Sequence, residues 1–175
     1  TPLYSSAASD VYKRQLLIDA ISDAHSLEKS TVRVDLLTSS GNPPSTYDCD
    51  RLDFYLSGSD YSAMTLYLWL SRYLAGVRLE CDGVVRHIPA SQIVFPGFSP
   101  NEALLPYPKN ALDGYRILQE YFLFPRRYFF FGLTGLRALW PSTSTERIRL
   151  EFTFSRPMPD LSLIHISEPT RQAEI

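Results

Sequence analysis

Between Thr31 and Leu37 the chain alternates, with Val32, Val34 and Leu36 set against Arg33 and Asp35. A period of two puts the three aliphatic side chains on one face, so the run predicts a half-buried strand. The same alternation returns at Ile148–Phe154 (IRLEFTF), and Leu52–Leu56 (LDFYL) predicts a further strand, ended by Ser57-Gly58. Val77–Cys81 and Val84–Ile88 flank Asp82-Gly83. Asp-Gly between two short apolar runs predicts a hairpin, because its tight turn needs two residues that tolerate positive φ. Gln92–Val94 predicts a short strand before the Pro96-Gly97 turn, and Ser39–Thr46 (SSGNPPST) a loop.

Helical spacing occurs in three places. Leu16–Lys29 has apolar residues at 16, 17, 20, 21, 24 and 27 but no clean caps, and predicts a helix or a linker. Tyr61–Ala75 follows Ser59 and Asp60, either of which suits an N-cap, and ends at Gly76, which suits the residue past a helix C-terminus. Met64, Tyr67, Leu68, Trp69, Leu70 and Leu74 spread apolar surface around most of that helix, which predicts burial between layers. The third helix is expected from a cap at Asn110 or Asp113 to about Phe122, where Pro125 prevents continuation. On it Tyr115, Leu118 and Phe122 share one face, with Ile117 and Tyr121 beside it. Tyr128–Gly132, aromatic on both faces, then predicts a central strand. Several short strands with two or three helices make the expected fold class α+β, rich in mixed or antiparallel strands.

The two ends do not read as part of this pattern. Asp10–Gln15 is DVYKRQ and Leu161–Ile166 is LSLIHI. Written as GAT GTG TAT AAG AGA CAG, the first has the reverse complement CTG TCT CTT ATA CAC ATC, which translates to the second. In-frame inverted repeats of this kind resemble the transposon end used in sequencing libraries. The flanks SSAASDVYKRQ and LSLIHISEPTR fit adaptor arms read through. Residues 1–15 and 161–175 are therefore expected to be translated adaptor, and 16–160 an internal fragment of a longer protein.

Composition adds mainly exclusions. A length of 175 residues allows one domain with a core, and 45% hydrophobic with 21% charged residues is ordinary for a folded chain. A net charge of −2 gives no electrostatic case for nucleic acid or an anionic membrane surface. No apolar run approaches the roughly 20 residues of a membrane span. Cys49 and Cys81 have no metal or redox spacing and read as reduced thiols. There is no phosphate-binding glycine loop, no His-Glu-x-x-His and no Gly-x-Ser-x-Gly elbow; Gly97-Phe98-Ser99-Pro100 is only superficially similar to the last. Asp48, Asp50 and Asp53 have oxygen ligands for a hard cation, but without a ligand-loop glycine they read better as a solvated loop with Arg51 pairing locally. Glu102 and Glu120 are too far apart in sequence to predict a carboxylate pair, and Arg126-Arg127 reads as a charged break between aromatic runs.

The densest aromatic stretch is Glu102–Gly132, EALLPYPKNALDGYRILQEYFLFPRRYFFFG. Its aromatics suit either a sugar-binding platform, as in a carbohydrate-binding module or glycosidase fragment, or a core and interface anchor. The first predicts a concave row of exposed Tyr and Trp; the helical spacing of Tyr115, Leu118 and Phe122 favours the core.

LDFYLSG, FPGFSPNEALLPYP, GYRILQEYFLFP and FFFGLTGL, in that order, resemble the TssF family of type VI secretion baseplate subunits. The likeness covers most of Val32–Asp160. It is carried by Leu104, Leu105, Pro106, Tyr107, Pro108, Gly114, Tyr115, Leu118, Gln119, Glu120, Tyr121, Phe122, Pro125, Phe131, Leu133 and Gly135. The resemblance implies a structural wedge component, no enzyme and no cofactor. It implies TssG and TssK as partners, with further copies of itself in the wedge and indirect contact to spike, hub and sheath. It also implies a cytoplasmic place at the inner-membrane-docked baseplate of a Gram-negative bacterium, without nucleic acid and without direct membrane insertion. Gly114 and the proline-flanked turns are expected to serve backbone geometry, and Gln119 and Glu120 to be polar anchors.

Overall fold

The computed structural model describes residues 16–25, 29–38, 43, 45, 49–108, 112–140, 145–159 and 165–167. Nine strands are described, in two antiparallel sheets: β1 (Leu16–His25), β2 (Ser30–Thr38), β3 (Leu52–Ser57), β4 (Leu74–Cys81), β5 (Val84–Pro89), β6 (Ile93–Val94), β7 (Phe130–Leu133), β8 (Arg147–Phe154) and β9 (His165–Ser167). The first sheet runs β1-β2-β8-β4-β5 and the second β6-β7-β3-β9. Two α-helices accompany them, α1 (Asp60–Arg72) and α2 (Asp113–Leu123). The expected α+β, strand-rich class is what the chain adopts.

Alternation becomes burial in the first sheet. Val32, Val34 and Leu36 of β2, Ile148, Leu150, Phe152 and Phe154 of β8, and Val77, Leu79 and Cys81 of β4 all point into the core. On the opposite face the registers Arg33↔Glu151 and Asp35↔Arg149 set unlike charges side by side, at 2.7 and 2.8 Å. Such directly opposed pairs add modestly to the pairing of neighbouring strands. The second sheet closes the core from the other side. Phe54 of β3 stacks on Phe131 of β7 at 5.1 Å, and Phe152 of β8 meets both rings edge-on, at 6.5 and 5.8 Å. Three rings in stacked and T-shaped contact thus join the sheets. Asp82 (φ 49) and Gly83 (φ 78) form the expected turn between β4 and β5.

Several expectations are overturned. Leu16–His25 is a strand rather than a helix or linker; it pairs along β2 with a register shift between Ile18 and Ala20. Apolar spacing at 16, 17, 20, 21, 24 and 27 does not by itself separate a helix from a strand whose register shifts by one residue. Helix α1 has the predicted cap, Ser59 accepting from the Ser62 amide at 3.1 Å, but stops at Arg72. The Tyr73 carbonyl accepts from the Ser155 amide at 2.8 Å, so the chain enters β4 at once. Gly76 is therefore no helix cap; it lies at the register shift between β4 and β8. Nor is α1 buried on most sides: Ala63, Leu66 and Leu70 face inward, while Tyr61, Met64 and Leu68 are exposed. Tyr128 and Phe129 belong to a 3-10 turn, Pro125–Phe129, and the strand begins at Phe130. Asp113 is the first residue of α2 and Leu112 its N-cap, without a side-chain cap; Asn110 lies outside the described residues.

Candidate interaction surface

Helix α2 is oriented opposite to the expectation from its spacing. Its buried residues are Arg116, 2% exposed, and Glu120, 0% exposed. Tyr115 is 70% and Phe122 79% exposed, and Leu118 and Tyr121 are exposed beside them. The core reading of the Tyr115, Leu118 and Phe122 face is thus corrected. The physical reason lies in what the neighbouring loop offers. The segment at 97–105 presents carbonyls and amides, and the Arg116 and Glu120 side chains bond five of them where apolar side chains would bond none.

Glu120 is the centre of that arrangement. One carboxylate oxygen accepts from the amides of Leu104 and Leu105, at 2.9 and 3.4 Å. The other accepts from Arg116 Nη1 at 3.2 Å and from Arg127 Nη1. Arg116 also donates to the carbonyls of Gly97, Phe98 and Ser99, at 3.2–3.3 Å, and Arg127 to the carbonyl of Glu102. Burial opposes the Glu120 charge, but the two amides and then Arg127 and Arg116 outweigh it, holding the carboxyl below the usual range. Glu102 fixes the loop from within: its carboxylate accepts from the Gly97 amide at 2.9 Å and closes a capping box with Ser99. Arg116 also stands over the Tyr107 ring at 5.6 Å, and the Tyr107 hydroxyl donates to Asp113 at 3.2 Å. This clamp ties the loop and the Pro125–Phe129 turn to α2, leaving the helix's apolar side outward.

The residues that carry the resemblance divide accordingly. Phe131 and Leu133 are core. Glu120 is a polar anchor, as expected; Gln119 is exposed. Leu104, Pro106, Pro108 and Pro125 are exposed, and Leu105 and Tyr107 half-buried. Gly135 has φ 75 and an added Cβ would lie 3.1 Å from Gln92 Oε1, so glycine is required there. Gly114 has no such reason: an added Cβ would meet nothing within 4 Å, which corrects the backbone-geometry expectation. Arg116 and Arg127 escaped the sequence reading, in which Arg127 belonged to a charged break. The signal available was the i, i+4 spacing of Arg116 and Glu120 on the face opposite the apolar stripe.

Beside the clamp, Tyr55, Leu104, Leu123, Phe124, Pro125, Arg126, Arg127 and Phe130 line an open groove of about 710 Å³. The Tyr55 and Phe130 rings pair at 4.9 Å within it. Among the described residues, none that lines it carries a carboxylate. Arg127 is spent on Glu120, whereas Arg126 makes no ion pair among the described residues. Elsewhere the candidate chemistry is quiet. Asp53 pairs with Arg51 at 2.6 Å and Asp50 accepts from the Arg137 amide at 3.2 Å; Asp48 lies outside the described residues. No cluster of three or more metal-ligating side chains occurs among the described residues, and none of their helices is long and apolar enough to cross a membrane. Trp140 is buried, its indole donating to the Cys49 carbonyl at 2.5 Å, and Trp69 is half-buried, so neither joins an exposed aromatic row.

The sequence profile of the family described as "Type VI secretion system, TssF" matches residues 10–168. The type VI secretion system component TssF1 of Pseudomonas aeruginosa is 32% identical over 130 residues, 73% of this chain and 21% of the relative. A cryo-electron microscopy structure of a TssK-TssF-TssG baseplate subcomplex contains a chain similar to this one, with a TM-score of 0.71 and 25% identity over 87% of this chain. That match takes in 30% of the solved chain, so this sequence spans about a fifth to a third of the length of these relatives.

Proposed function

Because the chain belongs to the TssF family of the type VI secretion system, we propose that it is part of a structural subunit of the baseplate wedge, scaffolding assembly of the contractile tail. The observation that carries this is the match of 87% of the chain, at a TM-score of 0.71, to a chain of a TssK-TssF-TssG subcomplex. TssG and TssK are accordingly the proposed direct partners, with further copies of the same subunit in the wedge. The proposed location is the cytoplasmic side, at the docked baseplate. A scaffolding role without catalysis is supported by how the ionisable groups are used: Glu120, Arg116 and Arg127 satisfy one another and the loop backbone. The carbohydrate alternative expected exposed Tyr115, Tyr121 and Phe122, and they are exposed, but it loses its support with the family assignment.

Residues 1–15 and 161–175 are proposed to be translated adaptor, with 16–160 the native fragment; the codon-level inverted repeat of Asp10–Gln15 and Leu161–Ile166 supports this. The family profile, over residues 10–168, reaches into both tails, and strand β9 lies within the second. The source DNA decides it: coding sequence continuing the family beyond Asp160 replaces the adaptor reading.

Co-expression of the full-length parent with TssG and TssK tests the function. The expected outcome is one complex on size exclusion containing all three chains. A parent that elutes alone at micromolar concentrations of its partners refutes the proposal.

A further inference from the structure

We infer that the outward face of α2 and the groove at its C-terminal end form one docking surface for an amphipathic, acidic helix of a partner subunit. The inference rests on the baseplate reading and adds to it the surface used and the chemistry it takes.

Tyr115, Leu118 and Phe122 stand at i, i+3 and i+7, one straight ridge along α2, and all three are exposed. Leu123, Phe124 and Leu104 extend the ridge into the groove, whose floor is the Tyr55–Phe130 pair. Together these side chains leave a continuous, largely apolar face open along the helix and into the groove. A continuous exposed apolar face of this kind marks a contact surface. A ridge at helical spacing is matched by the groove between ridges of a second helix, which sets the shape of the occupant.

Its charge follows from the groove wall. Among the described residues, those that line the groove are apolar apart from Arg126 and Arg127, and none carries a carboxylate. Arg127 pairs with Glu120, and Arg126, exposed beside it, makes no ion pair among the described residues. A partner helix that brings an Asp or Glu to that end gains a charge-assisted contact, and one that brings Lys or Arg is repelled. The clamp beneath holds the ridge in place, because Arg116 and Glu120 sit on the same helix as Tyr115 and Phe122, one residue from the first and two from the second.

The test uses the full-length parent co-expressed with TssG and TssK, with a photo-crosslinking benzoylphenylalanine in place of Tyr115 or Phe122. The expected result is a crosslink from both positions to one helix of a partner subunit, with an acidic residue within a turn of the site. Arg126→Glu is expected to weaken the complex about tenfold, and a Lys replacing that acidic residue to restore it. Crosslinks within the parent's own chain, to a second copy of the parent, or to nothing overturn the inference, as does an unchanged complex with Arg126→Glu. In each of those cases an intact three-chain complex leaves the scaffolding role standing, whereas absence of the complex in the wild type removes that role first.

Discussion

Replacing Glu120 by Gln keeps the size and shape of the side chain and removes its charge. In the native chain one oxygen serves two backbone amides and the other serves two guanidiniums. Glutamine has one carbonyl to offer. If it faces Leu104 and Leu105, its amide group points donors at Arg116 and Arg127; if it turns round, two backbone amides lose their acceptor. In either orientation Arg116, 2% exposed, is left with a charge that nothing nearby balances. Removing one member of a buried ion pair costs about 3–5 kcal/mol. Arg116 keeps the carbonyls of Gly97, Phe98 and Ser99, and Arg127 keeps that of Glu102, so the lower end, about 3 kcal/mol, is expected. For a chain of this length that is roughly 6–12 °C in Tm, followed by circular dichroism. A shift under about 3 °C would refute the argument that Glu120 neutralises the clamp. The combined change Arg116→Met, Glu120→Leu and Arg127→Met separates the cost of an unbalanced charge from the worth of the network. Because that change also removes the side-chain partners of the Gly97, Phe98, Ser99 and Glu102 carbonyls and of the Leu104 and Leu105 amides, the triple variant is expected to be less stable than Glu120→Gln alone.

The same carboxylate makes stability pH-dependent. Its folded-state pKa lies below the ordinary 4.5, so its contribution is complete above that value and lost as pH falls through the lower folded one; wild-type Tm should drop more steeply below pH 4.5 than that of Glu120→Gln. Gly132→Ala should cost about 1–3 kcal/mol, since its Cβ would lie 2.6 Å from Asp53 Oδ1, 2.7 Å from Arg51 Nε and 2.9 Å from Val94 Cγ2; an unchanged thermal midpoint would contradict this. Gly114→Ala, in open space near the start of α2, should instead stabilise by up to about 1 kcal/mol, read from the same melts. Residues 16–160 expressed alone should be poorly soluble because of the bare face, and Phe122→Ser should raise the soluble fraction while moving Tm by no more than a degree or two; a clean monomeric wild type would count against the exposed-face argument.

What could be read from the residues, and what could not, follows from one property of periodic patterns. A period shows which side chains share a face; it does not show which face is inward. For β2 and β8 the question never arose, because one face carries Val, Leu, Ile and Phe and the other Arg, Asp and Glu, and only one assignment is affordable. The Asp82-Gly83 turn was legible for a local reason, the need for positive φ at both positions. Helix α2 was not legible, because both of its faces want to leave water. Tyr115, Leu118 and Phe122 want it for apolar area, and Arg116 and Glu120 want each other together with five backbone groups of the neighbouring loop. A rule that sends the apolar stripe inward settles that competition wrongly, since the loop at 97–105 needs its amides and carbonyls satisfied and an apolar stripe offers them nothing. The inversion is therefore a statement about the whole protein. A sequence that places its ionic side against its own loop and its aromatic side outward over three turns gains stability from the latter only when another surface covers it. Glu102–Gly132 is the most recognisable part of the chain for the same reason: it satisfies its own backbone on one side and presents a complementary face on the other, so both sides restrict which residues can stand there.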